Sequence, residues 1–259
     1  MIHKFANINA GAKLGDNVTV EAFSTIYENV QIGEGTFIHP NVTIYPGTTI
    51  GKNCEIFPGA VIGVRPQDLK FEGEETSVEI GDNTVIRECV TIHRGTKDKW
   101  KTTIGSNCLL MTYVHVAHDC QIGNNVILAS FVGLAGHNII EDFAILEGKV
   151  GTQQFMRIGS HAFVGGGSLV RKNIPPFVKA AREPLGFAGV NSVGMRRRGF
   201  SDEKIKEIED VYRILYVMNN NVSKGVEAVK EQIPASATRD LILDFIAESD
   251  KKGIIRGMI

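Results

Sequence analysis

Residues Tyr113–Cys120 read YVHVAHDC, with His115 and His118 three apart and Asp119 directly after the second histidine. Three chemistries use such residues. Zinc takes three or four convergent ligands whose free edges are oriented by further groups. An imidazole titrating near neutral pH, with a carboxylate to orient it, is a general base. Two solvated rings on an ordinary surface would do neither. Which one applies depends on the elements that carry these side chains.

Those elements repeat every six residues. Stepping by six from Ile2 to Val170, every residue is aliphatic except Asp68, Glu74, Asp98 and Thr152. Four residues after each aliphatic position the side chain is small or β-branched, as at Val18, Ser24, Val30, Thr36, Val42, Thr48, Cys54 and Ala60. Neither an amphipathic helix nor a hairpin sheet has this period; a parallel β-helix does, each hexad supplying a short strand and a corner. LGDNV at Leu14, IGEGT at Ile32, IGKNC at Ile50, IGSNC at Ile104, IGNNV at Ile122 and IGSHA at Ile158 add a slower period of eighteen, so three hexads make one triangular coil. IGDNT at Ile80 joins the same face if twelve residues bulge out between Ile62 and Ile80 and six between Ile92 and Ile104. The protruding loops are expected near 63–79 and 93–103, leaving the helix at one corner.

Strands pair at about 4.8 Å, so residues one coil apart lie nearly above one another. The corner that releases both loops is next occupied by His118 and Asp119, then by Gly136 and His137, then by Gln153 and Gln154, then by Arg171 and Lys172. His39 and His161 fall at other corners. A histidine base beside a glycine whose bare amide can receive a developing oxyanion is a constellation for acyl transfer to a hydroxyl. His115 and His118 need not converge on a metal, and Cys54, Cys108 and Cys120 occupy the small inward position, where packing explains them.

From about Ile174 the pattern stops. The segment from Arg171 to Phe200 carries seven basic residues and one acid. Ser201, followed by Asp202 and Glu203, reads as a helix N-cap, and Ile205, Ile208, Tyr212 and Leu215 mark an apolar helix face. Further helices are expected near Ser223–Ile233 and Ala237–Ser249. This gives a β-helix over 1–178 and a connector with a small α-helical domain over 179–259. The formal charge of −1 gives no global field for nucleic acid or an anionic membrane. No stretch approaches the ~18 apolar residues of a spanning helix. The N-terminus lacks a signal-like apolar run and the four cysteines form no C-x-x-C pair, which leads to the expectation of a soluble cytoplasmic protein. The repeat begins at Ile2, so no domain is expected ahead of it.

The stretches HVAHDC, LAGH, PQDLKF, IRECVTIHRGT and GVNSVGMRRRGF closely resemble those of the UDP-N-acetylglucosamine 3-O-acyltransferase family, which carries out the first step of lipid A synthesis. The likeness covers nearly the whole chain, including the tail ending GIIRGMI. It implies an all-β, left-handed parallel β-helix with a helical C-terminal domain, assembled as a homotrimer with active sites between subunits. It implies transfer of a (3R)-3-hydroxyacyl group from acyl carrier protein to the sugar 3-hydroxyl, with no metal or other cofactor. His118 matches the general base, Asp119 its carboxylate partner and Gly136 the oxyanion amide. Gln67, Asp68 and Lys70 match residues near the glucosamine and the acyl hydroxyl. His93, His115, His137 and Gln154 match further polar residues that touch substrate, and Asn191, Arg197 and Arg198 match nucleotide and phosphate contacts. Arginine forks suit phosphate, and the basic connector suits an acidic carrier protein. Gly166 matches the position that sets acyl length, and a glycine there implies a long chain; its plain alternative is a corner that needs positive φ.

Two positions depart from the family pattern: Gln153 stands where a third active-site histidine is expected, and Val193 where an acidic residue often follows GVN. Both concern nucleotide contacts, not the base or the oxyanion donor. Rival readings are another hexapeptide acyltransferase using acyl-CoA, and a γ-carbonic-anhydrase-like zinc protein.

Overall fold

The structure is a computed structural model that describes residues 1–219, 221–249 and 252–257. Strands of mostly two residues stack into three parallel sheets that form the faces of a triangular prism. The first face begins with Asn7–Ile8, the second with Lys13–Leu14 and the third with Thr19–Val20. The register pairs each strand with the one eighteen residues on, as in His115↔Gly133 and Val116↔Leu134. The aliphatic residue of each hexad points inward, and Ile26, Ile44, Ile62, Ile92, Val116 and Leu134 fill the axis with no more than 1% exposure.

Three residues beyond most inward aliphatics the chain turns through a left-handed conformation, with φ from 52° at Asn53 to 78° at Gly47. Asn, Asp and Gly enter this region at least cost, which explains Asn17, Asn29, Asn41, Asn53, Asn83, Asn107 and Asn125 at seven of these corners. Asp119 and His137 occupy this same turn position, at φ 60° and 62°.

The coil-to-coil offset widens where expected. Ile50 pairs with Ile80 and Ile62 with Ile92, while Ile80 pairs with Ile104 and Ile92 with Val116. Strands Val61–Val64, Ser77–Ile80, Thr91–His93 and Lys101–Ile104 extend into the anticipated loops. The excursions proper therefore span 65–76 and 94–100, narrower than 63–79 and 93–103. Both leave at the corner between the first and second faces.

The third face continues past the repeat. Strand Val178–Ala181 pairs in parallel with Phe163–Val164 and then, antiparallel, with Gly186–Val190. A boundary at residue 178 thus falls within a strand. Inside the expected irregular connector lies a short helix, α1 (Ser192–Arg197), hidden from periodicity by its length of six residues. It is followed by α2 (Asp202–Tyr212), a π-helical turn at Arg213–Val217, α3 (Val222–Gln232) and α4 (Ala237–Glu248). Ser201 caps α2 by accepting from the Lys204 amide, and Ile205, Ile208, Tyr212 and Leu215 are buried. The helical tail covers one end of the prism: Tyr212 donates to the Pro176 carbonyl, and Asn173 and Ile254 form a bridge. At the other end Ile2 is exposed, and Ile8 and Leu14 are only half-buried. Met258 and Ile259, which close the GIIRGMI stretch, lie outside the described residues.

Candidate active site

His118 and Asp119 sit at the corner between the first and second faces and are 4% and 1% exposed. His118 Nδ1 lies 2.8 Å from Asp119 Oδ2. The left-handed turn at Asp119 bends its short side chain back onto its neighbour's ring. Asp119 also accepts from the Thr96 amide at Oδ1 (2.9 Å), from the Thr96 hydroxyl at Oδ2 (2.7 Å) and from the Lys99 amide at Oδ1 (3.3 Å). Burial alone would raise its pKa, but the bonds from His118 and Thr96 and the nearby His137 outweigh this and hold it below the usual carboxylate range. An ionised Asp119 requires His118 to carry its proton on Nδ1, which leaves the Nε2 lone pair as the basic atom.

Gly136 lies one coil above His118 and is buried. A Cβ there would stand 2.6 Å from His118 Cε1 and 2.7 Å from Nε2, so only glycine leaves room for the ring. Among the described residues the Gly136 amide donates to no protein acceptor, while its carbonyl accepts from the Phe155 amide. The basic nitrogen and an uncommitted donor therefore lie side by side, as a base and an oxyanion donor must.

His137 stands edge-on to His118 at 5.0 Å and stacks on Phe155 at 4.4 Å. Its Nδ1 is 3.1 Å from Asp98 Oδ2, within ion-pair range but not aligned for a hydrogen bond. One coil below, His115 bonds Thr91 Oγ1 through Nδ1 (2.8 Å) and meets His93 edge-on at 4.8 Å. Burial, reinforced by the neighbouring His115 and His118, lowers the His93 pKa to about 4; burial and then His118 lower that of His115. The imidazole cluster thus opposes accumulation of positive charge around His118.

The first excursion encloses a cavity of about 490 Å³ that Gln67 and Asp68 line together with Phe71 and His93. Lys70 is exposed, and its amide donates to Asp68 Oδ1. Gln154 is exposed at the same corner one coil above Gly136.

The remaining expected residues lie elsewhere on the prism. Asn191 and Arg197 line a second cavity of about 340 Å³ with Ile145, Phe163 and Lys179. It lies on the third face, opposite the His118 corner. The Asn191 amide is engaged at both ends, donating to the His161 carbonyl and accepting from the Gly194 amide. Arg198 turns away from this cavity and donates to the Phe143 carbonyl at 3.0 Å. Gly166 is exposed at the corner between the third and first faces, and its amide donates to Glu147 Oε2. The glycine with positive φ there is Gly167 (72°), so the turn requirement does not account for Gly166. A Cβ at Gly166 would approach the Gly148 carbonyl to 3.2 Å.

Sequence reasoning passed over Thr96, Asp98 and Lys99, the residues of the second excursion that hold the dyad and its neighbour. The IRECVTIHRGT stretch contained Thr96, but nothing in the hexad period shows where an excursion folds back. It also passed over Lys179, which lies outside the repeat.

His118, Asp119 and His137 each present a ligand-type atom, all within 4.8 Å of one another. The fit to a metal is poor. Asp119 already accepts four hydrogen bonds, and His118 Nδ1 is turned into one of them. A cation would have to displace donors that the second excursion is built to supply. His115, bonded to Thr91, does not join the group.

Comparison with known proteins agrees with this geometry. Residues 173–255 match the family described as UDP N-acetylglucosamine O-acyltransferase, domain 2, and residues 29–63 and 101–136 match the bacterial transferase hexapeptide family. An acyl-[acyl-carrier-protein]–UDP-N-acetylglucosamine O-acyltransferase from Thiobacillus denitrificans is 45% identical over 98% of this chain and 99% of its own. The chain belongs to the UDP-N-acetylglucosamine O-acyltransferase family. Among solved members, the Bacteroides fragilis enzyme is 48% identical with a TM-score of 0.97, over 99% of this chain and 100% of its own. The Francisella novicida enzyme is 41% identical with a TM-score of 0.95, over 99% and 94%. The prism is accordingly a left-handed parallel β-helix, against the usual right-handed crossover, and this family member is an acyltransferase.

Proposed function

We propose that this acyltransferase moves a (3R)-3-hydroxyacyl group from acyl carrier protein to the 3-hydroxyl of UDP-N-acetylglucosamine, the entry step of lipid A synthesis, with His118 as general base. The observation that carries the reading is the buried His118–Asp119 pair with Nε2 beside the uncommitted Gly136 amide. Nε2 takes the proton from the sugar hydroxyl as its oxygen attacks the thioester carbonyl. The carbonyl oxygen becomes an oxyanion held by the Gly136 N–H, and Asp119 stabilises the imidazolium. Collapse expels the carrier's thiolate, which takes the proton back from His118, leaving the ester and a free thiol. General-base help of this kind is worth about 10²–10⁴-fold, and one oxyanion donor about 3 kcal/mol.

The cavity lined by Gln67, Asp68 and His93 suits the sugar and the acyl hydroxyl; His115 meets His93 at its edge, and His137 and Gln154 follow at the same corner in the coils above. Arg197 and Lys179 give the opposite-face cavity the positive charge that a pyrophosphate needs. Arg198, and the side-chain amide of Asn191 at its wall, would reach a ligand there only by exchanging their present partners. A solid aliphatic core separates this cavity from His118, so both can serve one substrate only if neighbouring subunits of a homotrimer supply them. The basic connector is the surface for the acidic carrier, Gly166 sets acyl length, and the reaction belongs in the cytoplasm. Among the described residues no helix is long and apolar enough to cross a membrane.

The test is incubation of purified protein with UDP-N-acetylglucosamine and 3-hydroxyacyl carrier proteins of several lengths. Acylated sugar is expected from the wild type, with a loss of at least about 10²-fold in His118→Ala. A folded wild type that makes no product from any donor would overturn the substrate assignment.

A further inference from the structure

We propose that Thr96, in the second excursion, is a positioning residue for the acyl transfer: its amide and hydroxyl together fix the Asp119 carboxylate, and through it the His118 ring. The inference rests on the reading of His118 as the base.

Thr96 is 7% exposed. Its N–H reaches Asp119 Oδ1 and its hydroxyl reaches Oδ2, one donor for each oxygen, which sets the plane of the carboxylate. Oδ2 is also the atom that holds His118 Nδ1, so the ring and the hydroxyl share one acceptor. The hydroxyl is itself oriented, because the Asp98 amide donates to Thr96 Oγ1 at 3.3 Å and leaves the hydroxyl proton for Asp119. The frame is closed around it: the Trp100 amide donates to the Thr96 carbonyl at 2.7 Å, and at Gly95 the backbone of Trp100 and Lys101 leaves no space for a Cβ. An excursion that leaves the helix and folds back to deliver three donors to one carboxylate, two of them from Thr96, has a job that packing does not require.

The hydroxyl has an electrostatic role as well as a geometric one. His118 is faced by Asp119, by His137 from the coil above and by His93 and His115 from the first face; Asp98 stands beyond His137 and the Lys99 amide on Asp119 Oδ1. Removing the Thr96 hydroxyl takes one donor from Oδ2 and the acceptor from the Asp98 amide, and leaves the donors on Oδ1 in place. More of the carboxylate charge is then available to an imidazolium formed during the reaction, so the acid limb of the rate profile moves to higher pH.

Thr96→Val keeps the amide and the β-branch and removes the hydroxyl; Thr96→Ala removes it with less crowding, and Thr96→Ser restores it. Profiles of kcat and KM against pH for these variants, beside His118→Ala, decide the matter, with circular dichroism to certify folding. The expectation for Val, or for Ala if Val misfolds, is a fall of about tenfold in kcat with KM little changed. The acid limb should move to higher pH, and Ser should recover both. A hydroxyl-free variant with wild-type kcat and acid limb, while His118→Ala is inactive, would overturn the role of Thr96 alone. A uniform loss at every pH that Ser does not recover would make the residue merely structural and overturn it too. An active His118→Ala would instead remove the base on which the inference stands.

Discussion

At the scale of single residues, the site was legible where its chemistry is tied to the repeat. His118, Asp119 and Gly136 were found together because a period of eighteen fixes which residues stack, and the pairing of Val116 with Leu134 realises that stacking. Thr96 and Asp98 were not, because an excursion takes its path from contacts that no periodicity encodes. Residue chemistry also predicts a pH response. Burial, and to a lesser degree Arg198, lowers the pKa of His161 to about 4 from 6.5, and His93 falls to about 4 as well. Between these values the unfolded chain binds more protons than the folded one, so stability is complete above pH 6.5 and declines as pH falls toward 4. His161 stacks against Phe143 at 4.8 Å and Phe177 at 5.4 Å, so His161→Phe should keep the packing. Its melting temperature, scanned from pH 4 to 6.5, should fall less steeply than that of the wild type, with His93 supplying the remaining slope. An unchanged slope would mean that His161 is not held neutral.

At the scale of elements, the corner is the unit that the sequence spelled out without being read. The asparagine in IGKNC, IGDNT, IGSNC and IGNNV marked the slow period, and the structure shows why it is there: it is the left-handed residue of each turn. A ladder of side chains runs beside it. Asp82 accepts from the Lys52 amide, Ser106 from Asp82, Asn124 from Ser106 and Asp142 from Asn124, all within 3.0 Å. Asn125, at φ 57°, offers a clean test. Asn125→Ala should cost about 1 kcal/mol and Asn125→Gly little or nothing in chemical denaturation. Equal losses in both would place the stabilisation in the amide side chain rather than in the backbone. The short helix α1 shows the opposite limit. Six residues with Gly194 among them carry too little pattern to be read, and only the Asn191 cap announces it.

At the scale of the whole molecule, the faces divide the candidate residues into groups that one chain cannot bring together. The sequence showed both groups but not their separation, because that depends on which face each reaches. If subunits share sites, an inactive His118→Ala protein and an inactive Arg197→Ala protein should regain part of the activity when unfolded together, mixed and reassembled. Each mixed trimer then holds one site with an intact base on one side and an intact arginine on the other. Mixtures that stay as inactive as their components would place the whole site within one chain.

The two ends of the prism are unequal: the helical tail seals one, while Ile2, Ile8 and Leu14 leave the other half-open. In a stack where each coil touches only its neighbours, loss of structure travels inward from whichever terminus is less protected. Fraying should begin at the first coil and must cross every rung below Val116 before it reaches the dyad. The corner of His118 and Asp119, set well away from that open end, is buffered by the coils beneath it, which can loosen in turn while the pair above them keeps its geometry.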